Sequence, residues 1–292
     1  MKVLVTGSAG FLGRHVARHF ADQGWEVFGF DQVDHADGKT IVGDLTALDS
    51  ITEAVIDKDV VIHIGAIGDV YLAGEQPALA ASVNVVGTAN VVEAAKRSGS
   101  RVVYASTWEV YGHPQYQPID EDHPTNPDHP YNITKLGGES MLLAACRLRG
   151  LQALALRLGT AYGTGLRRNS VFRVFIDKAR EGESITIQGD GSQGRQFTHA
   201  SDIARAFEMA ARSELSGVAL NIVAPETVTI KQLAQLVVDR YPTDLTFGEP
   251  RPGDVPPARV SAAKAAQLLN WKAEMPFNQG LDELIDDVLK ED

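Results

Sequence analysis

The residues best suited to acid–base chemistry are Tyr131 and Lys135, in the stretch Tyr131-Asn132-Ile133-Thr134-Lys135. Tyr131 to Arg149 has a helical pattern, and residues four apart on a helix share a face. An ammonium beside a phenol favours the phenolate, so the pair predicts a tyrosine base of lowered pKa. Thr107, at the end of the preceding apolar strand, can hydrogen-bond the same substrate oxygen. The set suits removal of a hydroxyl proton while hydride leaves the same carbon for a nicotinamide. Most Tyr-x-x-x-Lys pairs lie on solvated helix faces, so this one draws its meaning from what precedes it.

What precedes it begins at the N-terminus. Val3-Leu4-Val5 is an apolar run, broken by Thr6-Gly7-Ser8-Ala9-Gly10-Phe11-Leu12-Gly13, and an amphipathic stretch follows from Arg14 to Gln23. That order reads strand, tight glycine turn, helix. Gly7 can take the turn's backbone conformation, Gly10 leaves room for a phosphate, and Gly13 lets the helix lie close on the strand. The free N–H groups where the helix starts, around Phe11 and Leu12, favour a pyrophosphate. A second strand, Glu26 to Phe30, ends in Asp31, eighteen residues after Gly13. An acid at that distance is placed to hold the ribose hydroxyls of NAD, and its charge repels the 2′-phosphate of NADP.

These groups need a scaffold, and the chain alternates strand-like and helix-like segments to supply one. Strands are expected at Lys39–Val42, Val60–Ile64, Arg101–Ala105 and Gln152–Leu158. Helices are expected at Asp49–Ile56, Leu79–Ser98 and Tyr131–Arg149. The alternation predicts an α/β, Rossmann-type doubly wound parallel sheet over residues 1–162. Ligands in such sheets bind beyond the carboxyl ends of the strands, where Gly7, Asp31, Asp44, His63 to Ala66 and Thr107 all fall. From 163 to 292 the pattern is mixed and predicts a smaller α/β substrate domain, with some segments returning to the first. Ser201-Asp202 is expected to cap one of its helices, and Ser261 another.

Composition narrows the function. The chain has 292 residues, 44% hydrophobic and 22% charged, with a formal net charge of −11. That charge argues against a nucleic-acid binder, which needs Lys and Arg to neutralise phosphates. Cys146 is the single cysteine, so no internal disulfide can form and a cytoplasmic location is expected. No apolar run approaches the roughly 18 residues of a membrane span, so no membrane role is expected. His113, His123 and His129 lie in an acidic, proline-rich loop whose spacings match no metal-ligand pattern, so no metal is expected.

Taken together, the motifs resemble the extended short-chain dehydrogenases/reductases of the NAD-dependent epimerase/dehydratase group, UDP-glucose 4-epimerase-like. The resemblance spans essentially the whole chain. It rests on Thr6 to Gly13, Asp31, Gly43-Asp44-Leu45, His63-Ile64-Gly65-Ala66, Asn84-Val85-Val86-Gly87-Thr88, Ser106 to Gly112, Tyr131 to Lys135, Gly194 to His199 and Arg251-Pro252-Gly253-Asp254. It implies that Asp44 and Leu45 contact the adenine and that Ala66 lines the cofactor groove. Tyr131 is implied as the base, with Lys135 holding the nicotinamide ribose and lowering the tyrosine's pKa. Thr107 matches the family's Ser/Thr, and Arg195 and Arg251 match arginines that grip a nucleotide-sugar diphosphate.

Three departures shape the expectation. Trp108-Glu109 replaces the Asp-Glu of similar dehydratases, which counts against 4,6-dehydration, while Glu109 is similar to a glutamate of nucleotide-sugar decarboxylases. Trp108 is bulkier than the residue common there. Arg157-Leu158-Gly159-Thr160 replaces Arg-Tyr-Phe-Asn, putting Thr160 at a substrate-binding position. The resemblance implies an NAD-dependent nucleotide-sugar epimerase, with UDP-hexose 4-epimerisation leading. A net dehydrogenase or reductase, a decarboxylase using Glu109, and a non-catalytic dinucleotide-binding module are the alternatives. Two apolar-faced helices, Leu79–Ser98 and Tyr131–Arg149, imply a homodimer by the same resemblance.

Overall fold

A continuous apolar run forms a stable strand only where both faces of its sheet are covered, and the first half of this chain meets that condition. The computed structural model describes residues 1–34, 39–250 and 258–290. Its strands in chain order are β1 (Lys2–Thr6), β2 (Glu26–Asp31), β3 (Thr40–Val42), β4 (Val60–His63), β5 (Arg101–Thr107), β6 (Ala153–Leu158), β7 (Thr160–Tyr162), β8 (Ile185–Gln188), β9 (Gly194–Arg195), β10 (Phe197–His199), β11 (Ala219–Ile222), β12 (Val228–Thr229) and β13 (Leu245–Gly248). The helices are α1 (Phe11–Asp22), α2 (Leu48–Val55), α3 (Val70–Glu75), α4 (Pro77–Ala81), α5 (Gly87–Ser98), α6 (Pro130–Arg149), α7 (Val171–Arg180), α8 (Ala200–Arg212), α9 (Ile230–Val238), α10 (Ala263–Leu269) and α11 (Phe277–Lys290).

Seven parallel strands make one sheet in the order β11-β6-β5-β4-β1-β2-β3. Alternation along β1 sets the layers. Val3 and Val5 pack with Val16 and Phe20 of α1 and with Ile203 and Phe207 of α8. Leu4 points the other way, into a layer with Ile51 of α2, Val91 of α5 and Leu142 of α6. Helices cover both faces, and β1 lies beside the point where the strand order reverses, the usual ligand crevice. A third apolar cluster, with Phe172, Phe175, Leu233 and Leu284, joins α7, α9 and α11. The edge strand β11 and helix α8 come from the second half of the chain, so that half completes the first sheet.

Several local expectations shift. The helix at 200 begins two residues earlier than a Ser201 cap allows, with His199 as its N-cap. Asp202 instead accepts the Glu274 and Met275 N–H groups and so ties α8 to the C-terminal segment. Ala262, not Ser261, is the N-cap of α10. The expected helix at 79–98 starts at Pro77 and carries a π-helical turn at Ser82–Val86 between α4 and α5. That whole stretch, Pro77–Ser98, is 22 residues long and apolar enough by composition to cross a membrane, which an unbroken apolar run did not reveal. Its α5 portion packs Val91, Val92, Ala94 and Ala95 into the sheet's core.

Candidate active site

The glycine turn sits where β1 meets α1. Gly7 has φ +72°, its N–H donates to the Phe30 carbonyl at 2.8 Å, and its carbonyl accepts from Gly10 N–H at 3.1 Å. A Cβ on Gly13 would stand 2.0 Å from the Gly7 carbonyl oxygen, so helix and turn touch backbone to backbone. Gly10 caps α1 with no side-chain hydrogen bond, which leaves the first-turn N–H groups at Phe11 and Leu12 facing outward for an anion. The Ser8 hydroxyl, which lies over Gly29 of β2, is buried without a partner. These features fit the pyrophosphate of a dinucleotide. Asp31, at the end of β2, accepts the Ala9 N–H at 2.9 Å and the Val33 N–H at 3.3 Å. Asp44 accepts both the N–H and the hydroxyl of Thr46, at 2.8 and 2.9 Å. Leu45 is buried against Gly65 and Gly87, and Ala66 is half-buried at the end of β4.

The acid–base end lies two strands over. Thr107 closes β5 and caps the short 3₁₀ turn Trp108–Tyr111, its hydroxyl accepting the Glu109 N–H at 3.3 Å. Tyr131 lies in the first turn of α6, behind Pro130, with its N–H held by His129 Nδ1 at 3.2 Å. Lys135 follows one turn on, fully buried, its ammonium 4.3 Å from the Tyr104 ring centroid. Burial pushes Lys135 down to about 7, opposed by the Glu139 charge.

Tyr131 departs from expectation. Its phenol is raised rather than lowered: burial is the main cause, the Glu109 charge adds to it, and Arg167 opposes. The sequence spacing places Lys135 on the same face, but its ammonium rests on Tyr104, and desolvation dominates the phenol. Glu109 is itself raised by burial, with Arg195 opposing and Asp128 adding. Glu109 is thus the common electrostatic neighbour of Tyr131 and Arg195.

Among the second-half residues, Thr160 starts β7 and pairs with Phe197 of β10. Arg195 lies on β9, opposite Val228, with Nη1 donating to the Gly194 carbonyl at 2.9 Å. Arg251 lies outside the described residues. Arg167 was missed, and it bridges the two halves. Its guanidinium donates to Asp69 at 3.2 Å and to the Gly68 carbonyl at 3.5 Å, while Asn169 reaches the same carboxylate at 3.2 Å. From α1, His15 and Arg14 meet the Thr164 and Gly165 carbonyls at 2.8 and 3.3 Å. The 164–169 segment is therefore anchored at α1 and at Asp69. The loop histidines have separate tasks. His129 caps α6, His123 is buried between the Gln115 N–H and the Pro124 carbonyl, and His113 faces Asp128 at 3.5 Å. Among the described residues no group of three His, Cys, Asp or Glu gathers around a metal-sized site.

Residues 3–223 match the model of the NAD dependent epimerase/dehydratase family. A protein of Methanocaldococcus jannaschii, provisionally named a UDP-glucose 4-epimerase, is 30% identical over 301 residues, 97% of each chain. UDP-glucuronic acid decarboxylase 1 of Danio rerio is also 30% identical, over 97% of this chain and 72% of that one. Among solved structures, MoeE5 in complex with UDP-glucose and NAD superposes with a TM-score of 0.92, at 30% identity, covering 100% of this chain and 99% of the other.

Proposed function

This chain belongs to the NAD dependent epimerase/dehydratase family, and from that premise we propose that it is an NAD-dependent UDP-sugar 4-epimerase. The observation that carries the reading is the meeting, along one sheet edge, of the glycine turn with Asp31 and of the Thr107, Tyr131 and Lys135 set. The turn, the first-turn N–H groups of α1, Asp31, Asp44 and Leu45 would hold the dinucleotide. NAD, when bound, would supply reversible hydride acceptance at the sugar's C4. Tyr131 Oη takes the 4-hydroxyl proton and later gives it back. Thr107 Oγ holds the same sugar oxygen in place, and Lys135, when protonated, favours the phenolate that proton removal requires. Arg195 meets the diphosphate as a planar donor fork, and Thr160 borders it.

The experiment is to purify the protein, unfold it and identify the small molecules released, then to supply UDP-hexoses without added cofactor. Stoichiometric NAD and interconversion of the two C4 epimers are expected. An empty protein that turns over only with added NAD, accumulating NADH, would replace the reading with a net dehydrogenase. Glu109 beside Tyr131, and the decarboxylase relative, favour one second reading, decarboxylation of a UDP-uronic acid. Release of carbon dioxide from that substrate would establish it.

A homodimer and a cytoplasmic location belong to the same proposal. Ile133, Met141 and Leu148 are exposed on α6 at spacings of eight and seven, close to two turns each, and Leu79 and Val86 are exposed on the neighbouring helical stretch. Such a stripe seeks cover, and a second copy of the chain offers a self-complementary one. Sedimentation equilibrium is expected to give twice the chain mass, and a monomer at all concentrations would rule this out.

A further inference from the structure

Lys135 and Glu139 stand four residues apart on α6, both buried, a spacing that puts the two side chains within reach of an ion pair. Here they do not form one. The Glu139 carboxylate takes two arms of Arg157 from β6, with Nη2 at 2.6 Å and Nε at 3.2 Å from Oε1, and the Ser106 hydroxyl at 2.5 Å from Oε2. Arg157 is held in turn. Its Nη1 donates to Tyr111 Oη at 2.7 Å, and the guanidinium lies 4.8 Å from that ring's centroid. Tyr111 donates onward to Asn221 of β11 at 2.8 Å. The Lys135 ammonium meets the face of Tyr104 instead, and among the described residues no carboxylate pairs with it.

A buried arginine–carboxylate pair gains little net stability over apolar side chains of the same volume, because both charges must be desolvated. Its place one turn behind the reactive lysine points to another use. We propose that Arg157, by engaging Glu139, withholds that carboxylate from Lys135, and that the pair thereby positions the Lys135 ammonium and sets the charge it carries beside Tyr131. Glu139 and Arg157 are positioning residues, acting through Lys135. The inference rests on the reading of Tyr131 and Lys135 as the reactive pair.

The groups around the Lys135 ammonium are few. Tyr131 and Glu139 share its helix, His63 faces it from β4, Tyr104 from β5, and Arg157 acts from β6 through Glu139. Burial, and then the Lys135 charge, push His63 down to about 3, and its ring is locked between the Thr6 and Thr88 hydroxyls at 2.8 and 3.0 Å, so it stays neutral. Among the described residues Glu139 is then the one anion supporting the ammonium, and Arg157 limits that support. Removing the anion and removing its restraint must act in opposite directions.

The test is an NMR titration of carbon-labelled lysine in the full chain, the Lys135 signal being identified by its loss in Lys135→Met. Glu139→Gln keeps one acceptor oxygen for Arg157, with its amide NH2 left to donate to the Ser106 hydroxyl, and is expected to lower the Lys135 titration by about one pH unit or more, the scale of a lost neighbouring charge. Arg157→Met frees Glu139 to turn to Lys135 and is expected to raise it by a similar amount, about one unit. The high-pH limit of turnover should follow each shift. Circular dichroism establishes that each variant is folded, and either folded variant alone decides the matter. An unmoved Lys135, or shifts of the same sign in both variants, overturns the proposal. The titration is read without substrate, so a failed epimerase assay leaves this outcome separate.

Discussion

Replacing Tyr131 by Phe is expected to lower turnover by at least about 100-fold, the usual scale of a removed acid–base group, while NAD stays bound. The reason lies in what Phe keeps. The ring remains in the first turn of α6, half-buried, and the His129 cap acts on the backbone N–H rather than on the phenol. Only the oxygen that exchanges the proton is lost. A loss of about 100-fold corresponds to about 2.7 kcal/mol of barrier, more than a displaced surface hydrogen bond can account for. Turnover should be measured beside the NAD content of the same preparation. Near-normal activity would remove Tyr131 from the mechanism. Loss of activity together with loss of NAD would make its role structural.

Asp31 carries the second large effect. Its carboxylate lies at the end of β2, steadied by the Ala9 N–H of the glycine turn. Asp31→Ala is expected to weaken NAD binding about 10- to 100-fold, as loss of a charged hydrogen bond of about 1.5–3 kcal/mol implies. The same change removes the repulsion of a 2′-phosphate, so the preference for NAD over NADP should relax. Asp31→Asn separates the two causes. It retains an acceptor for Ala9 but drops the charge, so discrimination should fall with less damage to the turn. Competition between NAD and NADP for each variant is the measurement. An unchanged preference would mean that Asp31 serves the turn alone.

The anchored segment 164–169 explains why part of the site was hidden in the sequence. Arg167 and Asp69 are 98 residues apart in the chain and belong to different halves. Nothing in the local pattern of Gly163-Thr164-Gly165-Leu166-Arg167-Arg168 says which strand end it will face. The Glu139–Arg157 pair left a clearer trace. An arginine inside the buried run Ala153–Leu158 needs a buried partner, and a glutamate one turn after Lys135 was a candidate within reach. The lowered pKa expected for Tyr131 failed for a related reason. Spacing reports which residues share a helix face, but burial, which dominates the phenol, and the charges of Glu109 and Arg167 that act on it come from tertiary packing.

What the sequence determined by itself is whatever short-range chemistry dictates. Apolar runs became strands, Gly7 and Gly13 forced the tight turn into α1, and Asp31 fell at the next strand's end, because these depend on backbone sterics and on contacts between neighbouring elements. The spacing of Tyr131 and Lys135 put them on adjacent turns of one helix in the same way. The tertiary structure decided the electrostatics. It left Lys135 without a carboxylate partner among the described residues, gave Glu139 to Arg157, coupled Glu109 electrostatically to both Tyr131 and Arg195, and brought β11 from the second half to close the first sheet. Those outcomes depend on which distant groups share a low-dielectric space, where charges are costly to bury and act strongly on one another.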